Sequence, residues 1–228
     1  MNPPSIYARA LGADFGRLHP EIRSRFGFSS ADGTASVGTG VMERIWRRPG
    51  FTRPFLAFGT WRHIMFPEQG ENVPFMIENY AYVDRSGRET VTFNRTFELP
   101  RRRRRFVATM VYSERRGGVV DYLGTHQHLA ADVHLSVEPG GGLRLRTGAQ
   151  RFYEGPVAFP FPMALSGRGD VVERFDETTG RHQIEVVVSN ERFGPLFGYR
   201  GWFTAETRDV SATGVPWSAK PVREELRE

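Results

Sequence analysis

Three of the chain's six histidines fall within nine positions, in the stretch DYLGTHQHLAADVHLSV at residues 121–137. Side chains of extended backbone alternate between two faces. His126, His128, Asp132 and His134 therefore share the even face with Ala130 and Ser136, while Leu129, Ala131, Val133, Leu135 and Val137 share the odd one with Gln127. Imidazole titrates near neutrality, and a neighbouring carboxylate (Asp132 or Asp121) fixes its tautomer, which is the chemistry of a general acid or base. Two histidines at i and i+2 also point the same way about 7 Å apart, the start of a Zn, Fe or Mn site. The remaining ligands are missing. The chain has no cysteine, His182 is the only later histidine, and the residues around HQH do not match the cupin spacing. No metal is expected, and the polar face is expected to look inward on a ligand.

Other residues could join that face. In AQRFYEGPVAFPFP, Glu154 offers an acid or base, Arg151 a partner for an anionic group and Tyr153 a phenolic donor. Arg151 and Tyr153 share one parity and Glu154 takes the other, so all three converge only if Gly155 or Pro156 distorts the strand end. FGYRGWF sets Arg200 in register with Trp202, suited to a planar or anionic ligand. IENYAY lines up Glu78, Tyr80 and Tyr82. The candidate catalytic set is His126, His128, Asp132 and Glu154. Tyr80, Asp121, His134, Arg151, Tyr153, Arg200 and Trp202 are the candidate ligand contacts. Each has a plainer explanation: a wet strand face, an ion pair at a strand end, or an aromatic lid on the core.

The elements that must position these groups read as a mainly β (α+β) fold. Two short helices are expected in SIYARALGADFGRLHPEIRSRFGFSS, then a strand TASVGTGVMERIWRR in which Gly38 and Gly40 allow a bulge or bend. Phe55, Phe58, Trp61, Arg62 and Met65 lie near helical spacing after Pro54, which predicts a capping helix over 54–66. From there DRSG, ERRGG, EPGGG and DETTGR punctuate strands at about 73–83, 88–99, 104–113, 118–124, 125–137, 142–153, 168–175, 182–190 and 197–209. So long an antiparallel meander curls into a barrel or half-barrel, which removes its edges. Residues 1–210 form one β-rich domain, and 211–228, without a core pattern, a loose C-terminal tail.

Composition narrows the function. No apolar run reaches the ~20 residues needed to cross a bilayer, and the N-terminus does not read as a secretory signal, so a cytoplasmic protein is expected. The net charge of +5 lies in one run, Arg101 to Arg105; removing those five leaves 26 basic against 26 acidic residues. The run opens a strand without aromatic interleaving, which argues for a charged strand entry and against nucleic-acid binding. There is no phosphate-cradling GxxxxGK loop, no GxSxG elbow and no dinucleotide fingerprint, so no cofactor is expected.

Several long stretches, RLHPEIRSRFGFSS, GTGVMERIW, RHIMFPEQG, VPFMIENYAYVDRSGRETVTFNRTF, VDYLGTHQHLAADVHLSV, QRFYEG and GPLFGYRGWF, together resemble the bacterial family catalogued as domain of unknown function 4166, from about residue 10 to 206. The resemblance carries no catalytic residues. Its members occur alone or fused behind modules similar to saccharopine dehydrogenases, which implies a metabolic or biosynthetic setting. The expected function is a barrel that binds a small, partly apolar molecule, with cofactor-free isomerisation or cyclisation as its chemistry. The alternatives are a non-catalytic binding or accessory module and a histidine-based metal enzyme.

Overall fold

Alternation with a period of two gives each strand one apolar face, and a sheet that buries that face on itself must close. The computed structural model, which describes residues 3–50, 56–57, 60 and 62–228, is 54% strand. β1 (Thr34–Arg47), β2 (Gly70–Val83), β3 (Glu89–Leu99), β4 (Arg102–Ser113), β5 (Gly118–Leu123), β6 (Leu129–Val137) and β7 (Leu143–Glu154) follow one another as antiparallel neighbours. β8 (Val157–Phe161) folds back on β7, and β9 (Arg168–Asp176), β10 (Arg181–Asn190) and β11 (Gly194–Asp209) complete the chain of pairings. β11 pairs with β1 and β9 with β7, so ten strands close into an antiparallel barrel and β8 hangs outside the ring.

The closure has a fork. β7 gives Leu143 to Arg146 to β9 but Gln150 to Glu154 to β8. Between the two, side chains hold the wall: Thr147 Oγ1 accepts from the Gly169 amide at 2.7 Å, Gln150 Nε2 donates to the Gly167 carbonyl at 2.8 Å, and Ser166 Oγ donates to Gln150 Oε1.

Phe75, Ile77, Phe93, Phe97, Phe197, Tyr199 and Phe203 fill the interior, almost all below 2% exposed. Each buried side chain of this size contributes roughly 1.5–3 kcal/mol. Gly38 and Gly40 serve this packing: a Cβ at Gly38 would sit 2.6 Å from the Phe203 ring and one at Gly40 2.1 Å from the Trp202 carbonyl oxygen. The irregularity in β1 comes later, between Met42 and Arg44.

The two ends of the barrel are closed differently. One is plugged by α1 (Ile6–Leu11) and α2 (Pro20–Phe26). Ser5 Oγ accepts from the Ala8 amide at 3.0 Å to cap α1, and Pro20 starts α2 where its missing N–H costs nothing. Tyr7 meets the Phe26 ring edge-on at 4.9 Å. At the other end Phe66 packs on Phe97 and Phe197 at 4.9 and 5.3 Å. The helix expected over 54–66 lies largely outside the described residues, including Phe55, Phe58 and Trp61; Leu56, Ala57 and Thr60 are helical, and Arg62 and His63 already turn. Among the described residues no helix is long and apolar enough to cross a membrane.

Two local departures stand out. The strand expected over 125–137 starts only at Leu129, because Gln127 takes a left-handed backbone (φ 53°) and residues 124–128 turn. The tail, expected to be loose, lies against the outside of the barrel. Asn94 donates to the Ala219 carbonyl at 2.8 Å, the Val222 amide to Thr125 at 2.8 Å and the Glu225 amide to Gln127 Oε1 at 2.5 Å. Hydrogen bonds made by its backbone, two of these three with barrel side chains, hold it in place of an apolar repeat, which is why no core pattern marks it.

Candidate functional site

The interior parity runs through Val119, Asp121 and Leu123 of β5 and through Leu129, Ala131 and Val133 of β6. On β7 it runs through Leu145 and Thr147, then through Gln150 and Phe152 after a bulge opposite Asp132. The inward face of β6 is thus the aliphatic one, a correction to the expected orientation. His134 is exposed, its ring lying over Gly148 on the outer wall. Asp132 also faces out, between Arg151 Nη2 at 2.8 Å and Arg116 Nη1 at 3.3 Å. A carboxylate with two guanidinium partners outside is better solvated than one facing Leu and Val inside.

Inside the barrel lies a cavity of about 190 Å³. Its walls include Phe93, Phe106, Met110, Leu129, Phe152 and Val186. Two of the expected residues line it, Asp121 and His128. His126 and Glu154 stand beside His128 at the rim: the imidazoles stack at 5.5 Å, and His128 Nδ1 lies 2.6 Å from Glu154 Oε2 and 3.1 Å from the Tyr153 carbonyl. Two acceptors on Nδ1 place a proton there, so in the neutral ring the lone pair is on Nε2. For His126, burial and then the nearby Arg62 hold the pKa below the ordinary imidazole value.

The other expected ligand contacts stand on the outer surface. Tyr80 is covered by the tail beside Ala219 and donates to Glu78 at 3.1 Å. Arg151 and Tyr153 lie on the outer face of β7, Tyr153 packing with Tyr122 and under Arg227 at 4.8 Å. Arg200 is exposed, and Trp202 carries the Arg181 guanidinium at 3.8 Å. These residues do not join His128 and Asp121. Among the described residues no three His, Asp or Glu side chains converge to hold a metal ion.

Arg95 is the site residue that the sequence reading missed. It points inward from β3, 3% exposed, and lines the cavity. Its guanidinium sits over Phe106 at 3.9 Å and Phe93 at 4.8 Å, and Nη1 donates to Tyr199 Oη at 3.0 Å. Arg95 Nε and Asp121 Oδ1 are both buried without a hydrogen-bond partner. Burial pushes the Asp121 carboxyl up to about 7, against the pull of Arg95. The signal was in the sequence: in Val91, Phe93, Arg95, Phe97 and in Val119, Asp121, Leu123 a charge interrupts an apolar parity.

The comparisons with known proteins give the chain a family and add no chemistry. Residues 18–203 match the family described as Domain of unknown function (DUF4166). The chain belongs to this family. It is also 31% identical over 206 residues to the uncharacterized protein YndH of Bacillus subtilis (strain 168), covering 90% of this chain and 98% of that protein. No solved structure matches. This member of the family carries its sequence-prominent histidine stretch half at the cavity rim and half on the outer wall, while the buried charges Arg95 and Asp121 stand inside.

Proposed function

We propose that the protein is a small-molecule-binding β-barrel whose interior buries one compact, partly apolar molecule. The observation that carries this reading is the cavity of about 190 Å³, walled by aromatic and aliphatic side chains and holding two buried polar atoms with no partner. An apolar cavity of ~150 Å³ already takes up benzene, and buried polar groups favour a ligand that completes their hydrogen bonds. The ligand is therefore a ring or short chain bearing one polar group. Titration with toluene, read on the methionine methyl NMR signals, tests this. Met65 and Met110 line the cavity and should shift, and Val133→Phe, which fills it, should abolish the response. Shifts that persist unchanged in Val133→Phe would place the site elsewhere.

A second reading, cofactor-free acid–base catalysis such as isomerisation or cyclisation, is favoured by the His128–Glu154 contact. Glu154 orients the imidazole so that Nε2 can take a proton from a ligand carbon, and neutral Asp121 can donate to the carbonyl oxygen that becomes an enol. Deuterium exchange at the α-carbon of 1-indanone in heavy water distinguishes the readings. Exchange lost in His128→Asn supports catalysis, whereas binding without exchange leaves a non-catalytic module.

A further inference from the structure

Among the described residues three arginines are buried; Arg151 on the outer wall pairs with Asp132, and of the two that point into the barrel only Arg25 has a carboxylate within ion-pair distance. Arg25 of α2 meets Glu173 of β9 at 2.5 Å and Ser36 Oγ at 2.7 Å. Arg95 has neither: its one hydrogen bond goes to a neutral phenol, its Nε–H meets no acceptor, and the aromatic faces of Phe93 and Phe106 hold its plane against the cavity. An isolated buried guanidinium is costly unless an anion or a set of acceptors reaches it. A carboxylate suits it best, because its two oxygens match the planar fork of the guanidinium.

Resting on the cavity reading above, we infer that the ligand is a small apolar monoanion, a ring or short hydrocarbon bearing one carboxylate, whose charge pairs with Arg95. The size follows from the cavity of about 190 Å³, room for a ring and one small substituent. The walls supply apolar contact to the hydrocarbon and one cation to the head group.

Asp121 makes the affinity pH-dependent. The titratable and charged groups near it are Arg95 from β3, Tyr7 from α1 and, across the cavity, His128; the Arg25–Glu173 pair acts on Tyr7 from the helix end. Tyr7 is held well above the usual phenol range by burial and then by Asp121, so it stays neutral. Below about 7 Asp121 is protonated and leaves Arg95 to the ligand; above it Asp121 ionises and competes with the ligand for the same cation.

The experiment compares benzoate, its neutral isostere benzamide, and toluene, by calorimetry and by the Met110 methyl signal, one unit below and one unit above the Asp121 midpoint. At the lower pH benzoate should bind at least about tenfold more tightly than benzamide, and its advantage should shrink at the higher pH. Arg95→Met should lose the benzoate preference while still binding toluene, and Asp121→Asn should bind benzoate equally at both pH values. If benzamide or toluene matches benzoate at the lower pH in the wild type, the anion assignment is wrong and the cavity reading stands. If none of the three moves the Met110 signal, both fail. Should Arg95→Met not fold, the wild type and Asp121→Asn decide: benzoate affinity that is the same at both pH values in the wild type overturns the proposal.

Discussion

Two clusters in the barrel interior bury the same chemical material to opposite effect. Beneath the helices Arg25 pairs directly with Glu173 and Ser36, with Glu173 fully buried and His182 stacked on Phe203 at 5.0 Å, although Arg25 Nη2, Glu173 Oε2 and His182 Nδ1 have no hydrogen-bond partner. Beside the cavity Arg95 and Asp121 share a space but do not satisfy each other. The first cluster fastens a helix to the sheet. The second leaves hydrogen-bonding capacity beside an apolar void. A buried ion thus says little about function by its presence; a direct counter-ion on one side and an adjoining cavity on the other are what distinguish the two clusters.

The two carboxylates also titrate in opposite directions. Burial alone would raise Glu173, but Arg25 and His182 outweigh it and hold the group below the ordinary carboxylate value. Its contribution is present above the unfolded pKa and is lost as pH falls. Asp121 is raised, so the folded state binds the proton more tightly and stability declines as pH rises from the unfolded value of about 3.8 through about 7.

Breaking the fastening should give the largest effect. Glu173→Gln strands Arg25 in the interior, and a loss of about 3–5 kcal/mol in denaturant unfolding is expected. By contrast Arg95→Met, which removes a cation that has no counter-ion, should cost less than about 1.5 kcal/mol. Equal losses for the two would erase the difference between the clusters. Next comes the pH slope: Asp121→Asn should flatten the decline in wild-type stability between about 3.8 and 7, a decline that reaches at most about 1.4 kcal/mol per pH unit. A slope unchanged by the substitution would show that Asp121 does not titrate in that window.

Smaller effects are expected outside the barrel. Glu225 is held down to about 2, chiefly by Arg227, so its anchoring of the tail is present above the ordinary carboxylate value and fades as pH falls towards 2. Glu225→Gln should cost about 1 kcal/mol or less once solvent screening is counted, and should raise hydrogen exchange at the Glu225 amide, which donates to Gln127. His134→Ala, on the outer wall, should change stability by no more than about 0.5 kcal/mol and leave toluene binding intact. A lost binding response there would return the outer histidine to the site.

The strand pattern was largely legible. β3, β7, β9 and β10 fall within one residue of the expected limits, since turn residues such as Gly87, Gly140 and Gly180, all at positive φ, fix where strands end. β8 escaped because Pro156 and Pro160 argue against a strand; an outer hairpin tolerates them. The site was legible only in part. His128, Glu154 and Asp121 were read from residue type alone, and the first two meet at the rim through the turn at Gln127 and the bulge in β7. Which face of β6 turned inward depended on that register, and a one-residue shift reverses every side chain. Arg95 does not cluster with other polar residues in the sequence; its mark is a lone charge in an apolar register, which points to a buried charge.

The fork in β7 bears on how fast anything enters or leaves. For most of its circumference the wall is a ladder of backbone bonds, and parting it would cost several at once. Beside the cavity, at Thr147, Gln150, Ser166, Gly167 and Gly169, it is stitched by a few side-chain contacts. Such a seam can part through rotamer changes and small loop shifts while the ladders on both sides stay paired, a motion far cheaper than opening the barrel. For the ligand proposed above, residence time is therefore expected to follow the stitching side chains and not global stability.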